Sequence, residues 1–130
     1  MQKKSLIKSY SEVRKTTELL CQSLSAEDQM VQSMADASPT KWHLAHTSWF
    51  FEKFVLKNFL KNYKEYKTDS DLLFNSYYLS LGIVTPRTQR GLISRPSLDE
   101  IFSYRSYIND KITSLIEDKL SSSIYEINSG

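Results

Sequence analysis

Apolar residues recur three and four apart in two long runs of this chain, the spacing of one face of an α-helix. In the first run Trp42, Ala45, Trp49, Phe50, Phe54 and Phe59 follow one another with no Gly or Pro between Pro39 and Leu60. Ser38 before Pro39 predicts the helix start: a hydroxyl cap, then a residue whose missing N–H costs nothing in a first turn. In the second run Leu98, Ile101, Phe102, Ile108, Ile112, Leu115 and Ile116 share one face, and the other face is polar. Ser97-Leu-Asp-Glu100 reads as a capping box, so this helix is expected from Ser97 to about Leu120, where Ser121-Ser-Ser123 breaks it.

Weaker patterns fill the rest. Leu6, Val13, Leu19, Leu20 and Leu24 among charges predict an amphipathic helix over 5–24, with Tyr10 and Val13 turned inward and Cys21 packed in its last turn as a small hydrophobe. Ser25 caps a short helical turn, after which Met30, Val31 and Met34 are expected to make apolar contacts. Residues 62–70 are polar and turn-prone. Residues 71–81 form a shorter apolar segment, with Gly82 as a C-terminal stop. Tyr77 and Tyr78 at its end read as packing residues before pocket residues. Residues 83–96 lack periodicity and hold Pro86, Gly91 and Pro96; a connection of that length is usually functional or disordered. Three long helices, one short helix and a long loop make the class all-α.

Composition narrows the function classes. The chain has 130 residues, enough for one domain with a core, and 40% are hydrophobic, which argues against intrinsic disorder. Lys and Arg number 17 against 15 Asp and Glu, and they are dispersed, so neither a nucleic-acid patch nor a polybasic membrane anchor stands out. No apolar run approaches the roughly 18 residues of a spanning helix. Cys21 is the one cysteine, which suits a reducing compartment; no neighbour in sequence would activate it as a nucleophile. A cytoplasmic protein that engages neither membrane nor nucleic acid is the expectation.

Candidate chemistry is concentrated in the segment 38–52, which carries both histidines, His43 and His46, and both tryptophans. The histidines are three apart, about 60° around a helix at roughly 100° per residue. Glu52, six beyond His46, is not an obvious co-ligand. A histidine on an aromatic helix is either a metal ligand in a bundle interior or a satisfied core residue, and spacing alone favours the second. In the loop, Arg87, Arg90 and Arg95 read either as a solvated basic segment or as a carboxylate clamp, since a guanidinium fork holds a carboxylate through two parallel hydrogen bonds.

Ser38-Pro-Thr-Lys-Trp-His-Leu-Ala-His-Thr-Ser-Trp-Phe-Phe-Glu52 resembles the opening metal-site helix of the ergothioneine-biosynthesis sulfoxide synthases, which carry a DinB-like helical domain. The resemblance continues in Leu73-Phe-Asn-Ser-Tyr-Tyr78 and Pro86-Arg-Thr-Gln-Arg-Gly91, and covers roughly residues 10–110. It implies a DinB-like four-helix bundle, non-haem Fe(II) as cofactor, and formation of a C–S bond between a cysteine-type thiol and trimethylhistidine. By position, His46 would be the first of three histidine ligands. Arg87 and Arg90 would hold the carboxylates of the thiol substrate, cysteine or gamma-glutamylcysteine; Arg95 has no comparable place.

This chain departs from the family pattern in one respect. The other two ligands come there from a His-x-x-x-His motif on a later helix, and that motif is absent here, as is the family's C-terminal domain. The expectation is therefore an incomplete bundle, the N-terminal iron-site portion of a sulfoxide synthase. Alone it should bind iron weakly, should itself contain no catalytic residue, and should leave the apolar face of the last helix without a neighbour. A complementing polypeptide or self-association would cover that face. A metal site made from His43, His46 and a carboxylate is disfavoured, because adjacent turns of one helix seldom present three ligands on one side of a metal; His43 is expected to pack or hydrogen-bond nearby. The alternative is a non-catalytic DinB-like binding or partner subunit.

Overall fold

Tyr10 and Arg14 on the first helix, α1 (Lys3–Leu20), and Cys21 just past its end turn toward the rest of the molecule. The structure is a computed structural model that describes residues 3–66, 73–74, 85–93 and 95–120. After Leu20 the chain continues in hydrogen-bonded turns through Leu24. Val13, expected inside, is 65% exposed, and Leu19 and Leu20 are exposed as well. The reason is angular: each lies 100° or more around the helix from Arg14, which is buried in their stead.

The short helix α2 (Ala26–Met30) has the cap expected of it. Ser25 Oγ accepts the Asp28 N–H at 3.1 Å, and Asp28 Oδ2 accepts the Ser25 N–H at 3.0 Å. Met30, Val31 and Met34, expected to make apolar contacts, are exposed; Gln29 is the residue that α2 buries. Helix α3 (Thr40–Phe51) passes into a π-helical turn over Glu52–Leu56 and ends in α4 (Lys57–Phe59). Its buried residues include Trp42, Leu44, Ala45 and Trp49, whereas Phe50 and Phe59 are exposed. The extra residue of the π turn rotates the later aromatics relative to an uninterrupted helix, a shift that regular 3.6-residue spacing cannot anticipate.

Helix α5 (Leu98–Leu115) continues in a second π-helical turn, Ile116–Leu120. Ser97 Oγ accepts the Glu100 N–H at 3.3 Å, as the sequence predicts. Ile101, Ile108, Ile112 and Leu115 are buried, joined by Tyr104 and Arg105, which periodicity did not mark. The apolar face of α5 does not lack a neighbour: it packs along α3 and the first π turn, and α1 meets the second π turn. The core is thus built where α3 and α5 meet, with α1 closing one side. Among the described residues there is no strand, and the fold is all-α. No described helix is long and apolar enough to cross a membrane.

The residues of the apolar segment 71–81 fall outside the described set except Leu73 and Phe74, so Tyr77, Tyr78 and the stop at Gly82 do too. Phe74 is buried in the core. The long connection contains a 3-10 helix over Arg87–Leu92, a regular turn in a stretch with no periodic signal.

Candidate functional site

The site begins with a misplaced hydroxyl. Ser38 does not cap α3: the cap position is Pro39, and it makes no side-chain bond. Ser38 Oγ instead accepts a hydrogen bond from Arg90 Nη1 at 2.9 Å, tying the head of α3 to the 3-10 helix 52 residues away. Gln32 completes the attachment. Its Nε2 donates to the Arg87 carbonyl at 2.6 Å and its Oε1 accepts from the Gly91 N–H at 2.7 Å. A Cβ at position 91 would stand 2.8 Å from both Cβ and Oε1 of Gln32, so the Gly after Arg90 is what permits this approach.

These ties gather His43, His46, Arg87 and Arg90 around one cleft of 360 Å³, which Asp36, Ser38 and Trp42 also line. Arg90 is buried, with its guanidinium 3.7 Å above the Trp42 ring. Among the described residues its Nε has no hydrogen-bond partner. Burial first, then the charge of Arg87, lowers its pKa from the ordinary value. Arg87 is exposed at the rim. The cleft is therefore cationic and presents guanidinium N–H groups, a surface suited to a carboxylate or another anion. Arg95 does not line it.

His46 is held on three sides. Its ring stacks with Trp42 (centroids 4.6 Å, planes at 10°), one turn before it, and with Trp49 (5.6 Å, 22°), one turn after. Its Nδ1 lies 2.5 Å from the Phe74 carbonyl, an acceptor that fixes the proton on Nδ1 and leaves the lone pair on Nε2. Trp42 Nε1 donates to the neighbouring Leu73 carbonyl at 2.8 Å, so one short segment anchors both rings. An imidazole with one nitrogen bound to a backbone carbonyl is the arrangement that orients metal-ligating histidines, and flanking indoles leave only the ring edge for a cation to approach. His43, one residue after Trp42, is exposed and meets its indole edge-on at 5.4 Å.

The same residues do not make a complete ferrous site. Among the described residues there is no group of three His, Cys, Asp or Glu placed to hold a metal. Two histidines in the whole chain cannot supply three. Glu52 turns away from the cleft altogether: Tyr63 Oη, Tyr104 Oη (2.7 Å) and the Tyr66 N–H (2.9 Å) all donate to its carboxylate. What the cleft brings together is one imidazole with a fixed Nδ1 and two arginines.

Both imidazoles titrate below the ordinary 6.5. For His46, burial is the main cause, the Phe74 hydrogen bond opposes it, and Arg90 adds to it. For His43, partial desolvation leads, followed by His46, Arg90 and Arg87. The unfolded chain then takes up these protons before the folded one. Stability from the neutral imidazoles is present above pH ~6.5 and is lost as the pH falls toward the lowered folded values. The urea midpoint should therefore drop between about pH 7 and about pH 5, and His46→Phe should flatten that slope. An unchanged slope in the variant would show that His46 does not carry it.

The sequence-predicted residues His46, Arg87 and Arg90 are thus brought together, with His43 beside them. Gln32 and Asp36 were missed; they sit in a connecting stretch with no signal that could have marked them. No model of a known protein family matches the chain, and no curated protein matches it significantly.

Proposed function

We propose that this chain is the N-terminal iron-site portion of a non-haem Fe(II) sulfoxide synthase with a DinB-like bundle, joining a cysteine-type thiol to trimethylhistidine as in ergothioneine biosynthesis. The observation that carries the reading is the convergence, in one cleft, of His46 with a carbonyl-fixed Nδ1 and of the two arginines from a segment some forty residues later. In this reading His46 holds the iron through Nε2, and Arg87 and Arg90 receive the carboxylates of the thiol substrate, cysteine or gamma-glutamylcysteine. Bound iron would supply the oxygen chemistry of C–S bond formation. The chain's own residues orient: Trp42 and Trp49 fix the imidazole plane, and Ser38 and Gln32 fix the arginine-bearing turn. The remaining ligands come from outside these 130 residues, so the chain by itself is inactive.

Anaerobic Fe(II) titration tests this, with the chain alone and with a companion polypeptide bearing a His-x-x-x-His helix. Tight binding is expected only in the mixture, followed by oxygen-dependent sulfoxide formation from trimethylhistidine and one of the two thiols. His46→Ala should weaken the restored iron binding at least tenfold. Arg87→Ala should leave iron binding in place and mainly raise the thiol concentration needed. Iron uptake that ignores His46→Ala would remove the ligand assignment. Failure of every such companion would favour the other reading, a non-catalytic helical subunit that binds a partner.

A further inference from the structure

The head of α3 grips the 3-10 helix with more than the Ser38 hydroxyl. Lys41, three residues further on, is 3% exposed, and its Nζ donates to the Ile93 carbonyl at 3.0 Å. Ile93 caps the C-terminal end of the 3-10 helix, and its N–H donates to the Arg90 carbonyl at 3.2 Å. The bonds close a ring: Lys41 holds Ile93, Ile93 holds the Arg90 backbone, and Arg90 Nη1 returns to Ser38. Trp42, next to Lys41, carries the Arg90 guanidinium 3.7 Å above its own ring. The two Gln32 bonds to this helix are exposed, where water competes with them; Lys41 is the anchor whose side chain is sealed from solvent. Packing alone does not account for an ammonium in this place. Burial first, then the charge of Arg95, lowers its pKa, with Glu100 opposing them. An apolar side chain of similar length would fill the space without burying a charge. What a donor adds is the bond to the Ile93 carbonyl.

We propose that Lys41 is a positioning residue: by holding the Ile93 carbonyl it fixes the backbone of the arginine-bearing turn, and so sets how tightly the cleft takes a carboxylate. This rests on the reading in which Arg87 and Arg90 receive the carboxylates of the thiol substrate; it does not depend on the iron. Lys41 does not line the cleft and acts through Arg90. A turn already ordered leaves less to be immobilised when a ligand binds, and that difference appears as affinity. Without the ammonium, Arg90 keeps its Ser38 bond and its indole but loses the fixed backbone from which both are reached.

The test titrates cysteine and gamma-glutamylcysteine, without iron or oxygen, into the full chain and reads the Arg87 and Arg90 side-chain N–H resonances. Lys41→Met keeps the apolar stem and removes the ammonium. It should bind the preferred thiol about fivefold more weakly than wild type, the scale of one side chain's ordering. Its urea midpoint should stay close to wild type, since the lost bond is offset by relief of a buried charge. A merely structural lysine would do the reverse, lowering the midpoint and leaving the affinity of the folded chain unchanged. Equal affinity in Lys41→Met, with Arg87→Ala still weakened, would overturn the proposal and leave the arginine reading standing. Binding of neither thiol to wild type, or no loss in Arg87→Ala, would remove the arginine reading and this proposal with it. Amide exchange in the wild type decides even where the variant does not fold. The Ile93 N–H should exchange at least about tenfold more slowly than in an unstructured peptide, and an unprotected Ile93 beside protected α3 amides would show that Lys41 holds nothing in place.

Discussion

Arg105→Ala should cost roughly 3–5 kcal/mol of folding stability, enough to bring a marginally stable domain close to unfolding at room temperature. Arg105 is fully buried on α5, and its guanidinium joins three helices. Nη1 donates to the Leu44 carbonyl (2.9 Å) and Thr47 Oγ1 (3.0 Å) of α3, and Nη2 to the Arg14 carbonyl (3.3 Å) of α1. Nε pairs with Glu18 at 3.1 Å. Alanine would remove every one of these donors, leave a cavity, and deprive the buried Leu44 and Arg14 carbonyls of a partner. Arg105→Lys should recover little, because a single ammonium cannot span positions set by a planar fork. Arg14 makes a useful contrast. It is buried too, donating to Ser48 Oγ (2.5 Å) and to Asn109 Oδ1 (2.8 Å), which also accepts from Tyr10 Oη. Yet its Nη1 has no partner among the described residues, and its pKa is lowered to about 10, chiefly by burial. A charge already so poorly compensated is removed at smaller loss, so Arg14→Met should destabilise less than Arg105→Ala. Urea denaturation of the three variants, with the midpoint and slope compared, checks the order.

That contrast also locates what the sequence could and could not disclose. Where burial is apolar and the helix regular, as at Ile101, Ile108, Ile112 and Leu115, periodicity finds the core. On α1 it holds for Tyr10, and for Cys21 just past the helix, and fails at Arg14 and Val13: the guanidinium is buried while Val13, Leu19 and Leu20 face solvent. Hydrophobic patterning assumes that charged residues stay outside; a guanidinium with partners on neighbouring helices breaks that assumption, and no local signal announces those partners. Ser38 shows the same limit at a helix end. Its hydroxyl was free to cap locally, but the 3-10 helix supplied a guanidinium, and the long-range bond won. The approach of Arg87 and Arg90 to His46 was legible only through the family resemblance; the residues themselves favoured a solvated basic loop. What places them there is the Gln32 clamp and the glycine at 91, features that acquire meaning only once the chain has folded back.

Glu52→Ala is the second substitution expected to be severe, with a loss on the order of 3–4 kcal/mol from one buried and two part-buried donors deprived of one acceptor. The sequence set Glu52 six residues beyond His46 and gave it no role, and it read 62–70 as polar turn. The structure joins the two. Tyr63, Tyr66 and Tyr107 pack as a group of rings, with Tyr66 stacked on Tyr104 at 5.1 Å, and the Glu52 carboxylate gathers donors from Tyr63, Tyr66 and Tyr104 beneath them. The π turn that begins at Glu52 sets where this carboxylate emerges, on the side of α3 that meets α5. Glu52→Gln, which keeps an acceptor oxygen but places an amide donor against one of three donors, should fall between wild type and alanine. Two measurements separate the network from simple packing. Amide exchange at Tyr66 should quicken far more in Glu52→Ala than in a nearby cavity variant such as Leu56→Ala. Alkaline titration gives the second. Burial, and after it Glu52, holds the Tyr63 phenol well above the ordinary 10.0, so its contribution is complete below the unfolded value and is lost as the pH rises past it. Glu52→Gln should let Tyr63 ionise at lower pH, with burial alone still holding it above an exposed phenol. Were Tyr63 to titrate identically in both proteins, the carboxylate would have no electrostatic hold on it, and the ring cluster would owe its place to packing.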